Sequence, residues 1–504
     1  DQDIVDMKGH HRDPLYKPDW SPDLFLSQMY MGHLIGFRSS LFEQVGGFRT
    51  EYNGSQDYDL LLRMTLLTNN IKHIPMVLYS WRDIPSSTAA NPEAKPYAQT
   101  AGLNAIQYYL DQRYGVGAAV AKETDSLFVY DVRYAMPENT KVGIIIPTKD
   151  HVDLLQVAIE SIEENTTFSN YEIVILNNNS VEMETYVYFD SVQKQYNNVS
   201  VHDALFEFNW SKLNNYGMSI CNADVYVFLN NDVKIIEPEW LTRLAEKALR
   251  PDVGVVGGLL LYEDSTIQHA GVVVGMGGWA EHVFKGMKPI HYGSPFVSPM
   301  VTRACLAVSS NTLNNIGRFD ERFIICGSDI ELGIRASQRG LYNIYDPYVR
   351  LYHYESKSRD SYVPDIDFKM SYKVYTPYRE QGDPFYNDNL DYYVYQPTVK
   401  HLLNENDVKA EEIADTTDDC ITAQDVKVDE INPYYFRHTE SERKRLNLLV
   451  PSINPEHVFG GISTAIKFYV KLAECLGYDQ RIILVDAVPS KEALEQYKEY
   501  EVVA

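Results

Sequence analysis

The sequence predicts an α/β protein built on a doubly wound, mostly parallel sheet. Two observations carry this prediction. Apolar runs of strand length alternate with stretches of helical spacing. Several of those runs also break off in polar clusters, where open α/β sheets place their ligands. A third observation, an internal repeat, predicts that the module occurs twice.

The repeat comes first along the chain. "VGGFRTEYNGSQDYDLLLR" (45–63) is matched by "IGRFDERFIICGSDIELGIR" (316–335). Asp57 aligns with Asp329, Arg63 with Arg335, Pro75 with Pro347 and Trp81 with His353, all at one offset (329 − 57 = 272). The first copy has no nucleotide-binding half before it, and "DQD" (1–3) is its only counterpart of the later "LNND". The chain opens on Asp rather than Met, so it is expected to be a piece or a processed form of a longer protein. The expected divisions are 1–90 for the end of a first module, 91–140 for a helical linker and 141–399 for a complete second module. Residues 400–440 follow as an acidic linker, and 441–504 as the start of a further domain.

Within the second module, "KVGIIIPTKDH" (141–151) reads as a buried strand ending in a turn, and "VDLLQVAIESIEENT" as a helix. "YEIVILNNNS" is a second strand, "WSKLNNYGMSICNA" a helix and "DVYVFLNND" a third strand. Three polar clusters therefore fall at strand ends: Pro147–Asp150, Asn177–Ser180 and Asn230–Asp232. Asn and Asp are ordinary turn formers, so each cluster reads either as a turn or as a ligand site. The Asp-, Glu- and Thr-rich stretch 400–440 reads as a linker. Beyond it, 445–504 gives strand, Gly-Gly turn, helix and strand, a βαβ unit that ends before completing a domain.

Composition narrows the function. The formal charge of −25 argues against nucleic-acid binding, which needs Lys and Arg against phosphate. Five cysteines with no paired short spacing fit a reducing cytosol, and no zinc motif is visible. No apolar run approaches the ~18 residues of a transmembrane helix.

The motifs "KVGIIIPTKD", "YEIVILNNNS", "FNWSKLNNYG", "FLNNDVKIIEPEWL", "IQHAGVVVGMGG", "GSDIELGIR" and "LYHYESKSR" resemble the family 2 glycosyltransferases with the GT-A fold. The likeness is nearest to large multidomain bacterial enzymes of O-antigen, rhamnan and capsule synthesis. "GDPFYNDNL" (382–390) resembles the segment closing such a module, and residues 445–504 resemble the opening of a GT-B glycosyltransferase. The fold expected is thus one partial and one complete GT-A copy, followed by the first βαβ unit of a GT-B domain.

The resemblance implies roles residue by residue. Asn230-Asn231-Asp232 stands at the DXD position, where an acid helps a divalent cation neutralise the departing diphosphate. Asp232 is then a ligand for Mg²⁺ or Mn²⁺, and His353 matches the family's metal-ligand histidine. In the first copy Asp1 and Asp3 keep both acids, while Trp81 replaces the histidine and Arg82 follows it. Asp329 matches the catalytic base that takes the acceptor hydroxyl's proton, and Asp57 its counterpart. The competing reading of both is a helix N-cap. Pro147, Thr148, Asp150, Asn177, Asn179, Lys212, Asn215, Asn230 and Asn231 are expected around the donor. Asn177 stands where relatives usually carry an Asp, which leaves base selectivity open. "QHAG" (268–271) and "WAEH" (279–282) read either as pocket walls or as loop structure, and Gly460-Gly461 as a phosphate approach at a helix start.

The function implied is inverting transfer from dTDP-rhamnose or a UDP-sugar to a growing surface polysaccharide, on a lipid-linked or oligosaccharide acceptor. The place implied is the cytoplasm or the cytoplasmic face of the inner membrane. A degenerate glycan-binding or scaffolding module is the main alternative, favoured by Asn177 and Asn230. A nucleotidyltransferase is a third reading, opposed by the absence of a Gly-rich loop in "IIIPTKDHVDLL".

Overall fold

A computed structural model describes residues 1–83, 96–289, 296–297, 302, 304–354 and 363–400, and parts of 445–503. The acidic linker 400–440 and Gly460-Gly461 lie essentially outside the described residues. The chain divides into two units, Asp1–Leu402 and Leu403–Ala504.

The first unit opens with strands β1 (Gln2–Val5) and β2 (His11–Leu15) and helices α1 (Pro22–Ser27), α2 (Ser39–Gln44) and α3 (Gln56–Thr65). Strand β3 (Tyr79–Arg82) completes a three-stranded sheet in the order β2-β1-β3. Helix α4 (Pro96–Tyr114) and the hairpin β4 (Ala119–Glu123) and β5 (Tyr130–Tyr134) follow. They bury Ile106, Leu110 and Tyr130 against Phe25, Leu60 and Leu62.

The second module then alternates as its sequence predicts. Its elements are β6 (Val142–Thr148), α5 (Val152–Glu164), β7 (Tyr171–Asn177), α6 (Met183–Gln195), β8 (Val199–Asp203), α7 (Trp210–Ile220) and β9 (Val225–Leu229). These four strands are parallel and adjacent in the order β8-β7-β6-β9. Ile144, Ile146, Ile173, Ile175, Val225 and Val227 form the buried floor under α5, as expected for a sheet covered on both faces.

Beyond β9 the sheet becomes mixed, which the alternating pattern did not predict. The later elements are β10 (Val233–Ile235), α8 (Trp240–Ala248), β11 (Val253–Leu261), β12 (Ile267–His269), β13 (Val272–Val274), β14 (Ala280–His282), β15 (Phe296–Val297) and β16 (Cys305–Ser309). They end with α9 (Ser310–Ile316), α10 (Ser328–Gln338), β17 (Tyr342–His353) and α11 (Asp365–Gln381). Strand β16 lies antiparallel between β9 and β11, and β10 runs antiparallel to β17. Nothing local in "CLAVS" fixes that direction; all five residues are buried between two neighbours.

The repeat is real at the level of its helices. α3 begins at Gln56 and α10 at Ser328, again 272 residues apart. In α10, Arg335 bonds Glu331 one turn earlier and reaches the carbonyls of Ile316 and Arg318. In α3, Arg63 bonds Asp59 and reaches the carbonyls of Val45 and Gly47. The sheets differ. Ile4 pairs with Trp81 in parallel strands, whereas Val233 pairs with His353 in antiparallel ones.

The two modules are clasped. Arg250, after α8, pairs with buried Asp23 of α1 at 2.6 Å. Asn387 of the closing segment donates to the carbonyl of Lys17 at 2.9 Å and to Asp1 Oδ2 at 3.1 Å. Buried Asp346 faces Arg243 and Lys247. Burial opposes its ionisation, but the two cations outweigh that and hold the carboxyl below the usual range.

In the second unit β18 (Arg445–Val450), β19 (Asp479–Leu484) and β20 (Glu501–Val503) are parallel neighbours. This fits the βαβ start expected there. Among the described residues no helix is long and apolar enough to cross a membrane.

Candidate active site

The carboxyl ends of β6 and β9 are tied side by side, since Asn231 Nδ2 donates to Thr148 Oγ1 at 3.0 Å. The chain leaves β9 at Asn230, whose N–H bonds the carbonyl of Ala304 next to β16. It then turns at Asp232 into β10. Because β10 pairs with the end of β17, Asp232 and His353 are brought together across the two strands. His353 Nε2 lies 3.2 Å from Asp232 Oδ1 and 3.1 Å from Asn230 Nδ2. Both acid and histidine are buried.

His353 is fixed from behind. Its Nδ1 stands 2.7 Å from Gln268 Oε1, a contact that fixes the ring orientation bringing Nε2 to Asp232. Gln268 Nε2 reaches back to the His353 carbonyl at 3.5 Å. The donor set at this point is one carboxylate, one imidazole nitrogen and one amide side chain. Among the described residues no group of three or more His, Cys, Asp or Glu gathers as a metal site. Two protein ligands nevertheless suit a hard divalent ion that takes its other oxygens from phosphate and water.

A cavity of about 980 Å³ opens over these strand ends. Pro147, Thr148, Asn230, Asn231, Asp232, Asp329 and His353 all line it. Asp329 sits at the second position of α10, buried, with Oδ1 accepting from the Ile330 N–H at 3.0 Å. The N-cap position of that helix is held by Gly327, so Asp329 does not occupy the cap that the competing reading gave it. Asp57 occupies the same second position in α3, after Ser55, and bonds the Tyr58 N–H at 2.9 Å.

Other expected site residues lie near the cavity without lining it. The Asp150 carboxylate accepts from the N–H groups of Val181 and Glu182, at the start of α6. Asn177 bonds Asp203, and Asn179 bonds the carbonyl of Phe206. Asn215 braces Phe319 through both its backbone N–H and carbonyl. Lys212 lies over the Phe206 ring at 4.4 Å. In the first module Asp1 is bonded by His73, and Asp3 by His11. Each acid thus has its own partner there.

Phe368 lines the cavity although no motif pointed to it; Lys149, Asn178, Phe208, Trp279 and Glu281, which fall inside the motifs quoted above, line it too. "QHAG" and "WAEH" meet, since β13 pairs with β14 and sets His269 Nδ1 2.9 Å from His282 Nδ1. Burial pushes both imidazoles down, His282 to about 4 with Lys285 and His353 adding to the effect.

Residues 143–295 match the family model described as Glycosyl transferase family 2. This part of the chain belongs to the family 2 glycosyltransferases. Residues 445–504 match the model described as WsaF, N-terminal domain. The O-antigen biosynthesis protein RfbC of Myxococcus xanthus is 36% identical over 401 residues, covering 77% of this chain and 31% of the relative. The protein y4gI of Sinorhizobium fredii is 35% identical over 410 residues, covering 77% of this chain and 44% of the relative. The chain therefore spans less than half the length of either relative. A solved structure of GalNAc-T7 with UDP, GalNAc and Mn²⁺ aligns with 51% of this chain and 53% of its own at 16% identity, TM-score 0.40. The mannosyltransferase PcManGT of Pyrobaculum calidifontis, solved with GDP-Man and Mn²⁺, aligns with 57% of this chain and 81% of its own at 14% identity, TM-score 0.36. The glycosyltransferase domain spans the strand ends that carry Thr148, Asn231 and Asp232.

Proposed function

We propose that residues 141–399 move a sugar from a nucleotide-diphosphate donor to a growing bacterial surface polysaccharide, with inversion at the anomeric carbon. The observation that carries this reading is one cavity lined by an Asp–His pair at its strand ends and by a second buried carboxylate, Asp329. Asp232 and His353 would hold Mg²⁺ or Mn²⁺, which when bound offsets the charge of the leaving diphosphate. Thr148, Asn230 and Asn231 sit where the donor's phosphates and ribose approach the strand ends. Asp329 takes the proton of the acceptor hydroxyl as its oxygen attacks the sugar. Asp1, Asp3 and Asp57 are proposed for the same tasks in the first module.

The donor is proposed as dTDP-rhamnose or a UDP-sugar, and the acceptor as a lipid-linked or free oligosaccharide at the cytoplasmic face of the inner membrane. Residues 441–504 are proposed as the start of a GT-B domain. A screen of nucleotide sugars for metal-dependent hydrolysis tests the reading. Release of nucleoside diphosphate from one or two donors is the expected result. No release from any donor, with glycan binding retained, favours a non-catalytic glycan-binding module instead.

A further inference from the structure

On the α10 side of the cavity, helix α11 presents two adjacent stripes. The buried stripe holds the approach to Asp329. Asp367 accepts from the N–H groups of Ile324, Ile325 and Cys326, and Ser371 Oγ would lie 2.5 Å from any Cβ placed on Gly327. The neighbouring stripe, one residue on, is aromatic and open: Phe368 is 45% and Tyr372 60% exposed. Trp279, 36% exposed, meets them edge to face, at 5.4 Å from Phe368 and 6.4 Å from Tyr372. Trp279 and Phe368 both line the cavity that contains Asp329.

This cluster is built rather than incidental. Gly275, Gly277 and Gly278 all have positive φ, and the turn they make closes through Gly275 N–H to the Trp279 carbonyl at 2.6 Å. Arg379 of α11 caps the Tyr372 ring at 3.9 Å and donates to the carbonyls of Tyr372 and Gly278, pinning turn to helix.

We infer that Trp279 and Phe368, braced by Tyr372, form a stacking platform for an uncharged sugar ring of the acceptor glycan. This rests on the functional reading above. Large aromatic rings left partly exposed beside a cavity mark a binding surface, and rigid rings bind at small entropic cost. A sugar ring offers one C–H-rich face to such rings and hydroxyls at its edge, which suits the polar groups among them: Glu281, Ser371 and Arg379. A lipid chain would call for a continuous apolar face. An anionic glycan would meet Glu281 and Asp329 in the same cavity.

The test uses the whole chain on an array of neutral oligosaccharides of rhamnose, mannose, glucose, galactose and N-acetylglucosamine. Trp279→Ala, Phe368→Ala and the conservative Trp279→Tyr are compared with wild type. Nucleoside diphosphate binding with Mn²⁺ is measured on the same samples and reads the donor side separately. The expected result is binding of at least one neutral glycan, weakened at least about tenfold by either alanine and largely restored in Trp279→Tyr. Wild-type binding of no neutral glycan, equal binding by all variants, or capture only by vesicles carrying polyprenyl phosphate overturns the platform. Trp279-dependent glycan binding without any donor hydrolysis would sink the transferase reading and leave the platform standing.

Discussion

His353 Nε2 and Asp232 Oδ1 stand 3.2 Å apart because β10 and β17 pair antiparallel, with Val233 opposite His353. Two residues separated by 121 positions thus share one point at the mouth of the sheet (353 − 232 = 121). Gln268 holds the histidine's other nitrogen at 2.7 Å.

Gln268→Leu should therefore weaken the site without touching either ligand. Loss of a partner that fixes a ligand histidine typically costs about 10–100-fold in metal affinity. Titration of Mn²⁺ in the presence of nucleoside diphosphate should show a fall of that size in Gln268→Leu. An unchanged affinity would mean that His353 needs no such support.

Asp329→Asn separates chemistry from binding. The substitution keeps the bond to the Ile330 N–H but removes the proton acceptor. Transfer should fall by about 10²–10⁴-fold with donor affinity little changed. Single-turnover transfer beside donor binding checks this, and a rate within about threefold of wild type would move the base elsewhere.

His269 and His282 make stability depend on pH in a known direction. Burial is the first cause in both, and it lowers their folded values from the ordinary 6.5, His282 to about 4. The unfolded chain therefore takes up protons first as pH falls below 6.5. Their contribution is complete above 6.5 and is lost progressively on the way down to about 4. Urea unfolding of the first unit between pH 7 and 4 should show this loss, and His282→Gln should flatten part of it. Parallel pH profiles for wild type and variant would contradict the assignment.

Gly258 lies where the register of β11 against β17 shifts, and a Cβ there would stand 2.4 Å from Val349 Cγ1 and 2.5 Å from the Val349 carbonyl. Gly258→Ala should destabilise the second module by about 1–3 kcal/mol, the usual cost of overpacking. Because β17 ends in His353, metal-dependent nucleotide binding should weaken as well. Thermal unfolding and calorimetry on the variant read the two effects.

Much of this arrangement was legible in the sequence, for particular reasons. Three polar clusters after apolar runs marked the strand ends, and Thr148 and Asn231 do meet there. The repeat at 57 and 329 placed two acids at equivalent helix positions. Asp150, Asn177 and Asn215 were harder to read. A polar side chain beside a strand end looks alike in sequence whether it faces a ligand or ties down a loop, and these three bond backbone or side-chain groups nearby. The direction of β16 was also hidden, because a short, fully buried apolar run fits either orientation. Trp279, within "WAEH", read as either pocket wall or loop, and its partners were hidden for a different reason. Its aromatic neighbours come from a helix about 90 residues later, and only tertiary packing joins them.

The most direct measurement is calorimetric titration of UDP and dTDP into the whole chain, with and without Mn²⁺, for wild type and Asp232→Ala. The account predicts that one of the two nucleotides binds at least about tenfold more tightly with the metal, and that Asp232→Ala removes the difference, since the ion keeps few protein ligands besides this carboxylate. Equal binding with and without metal, or a metal effect that survives in Asp232→Ala, would contradict it.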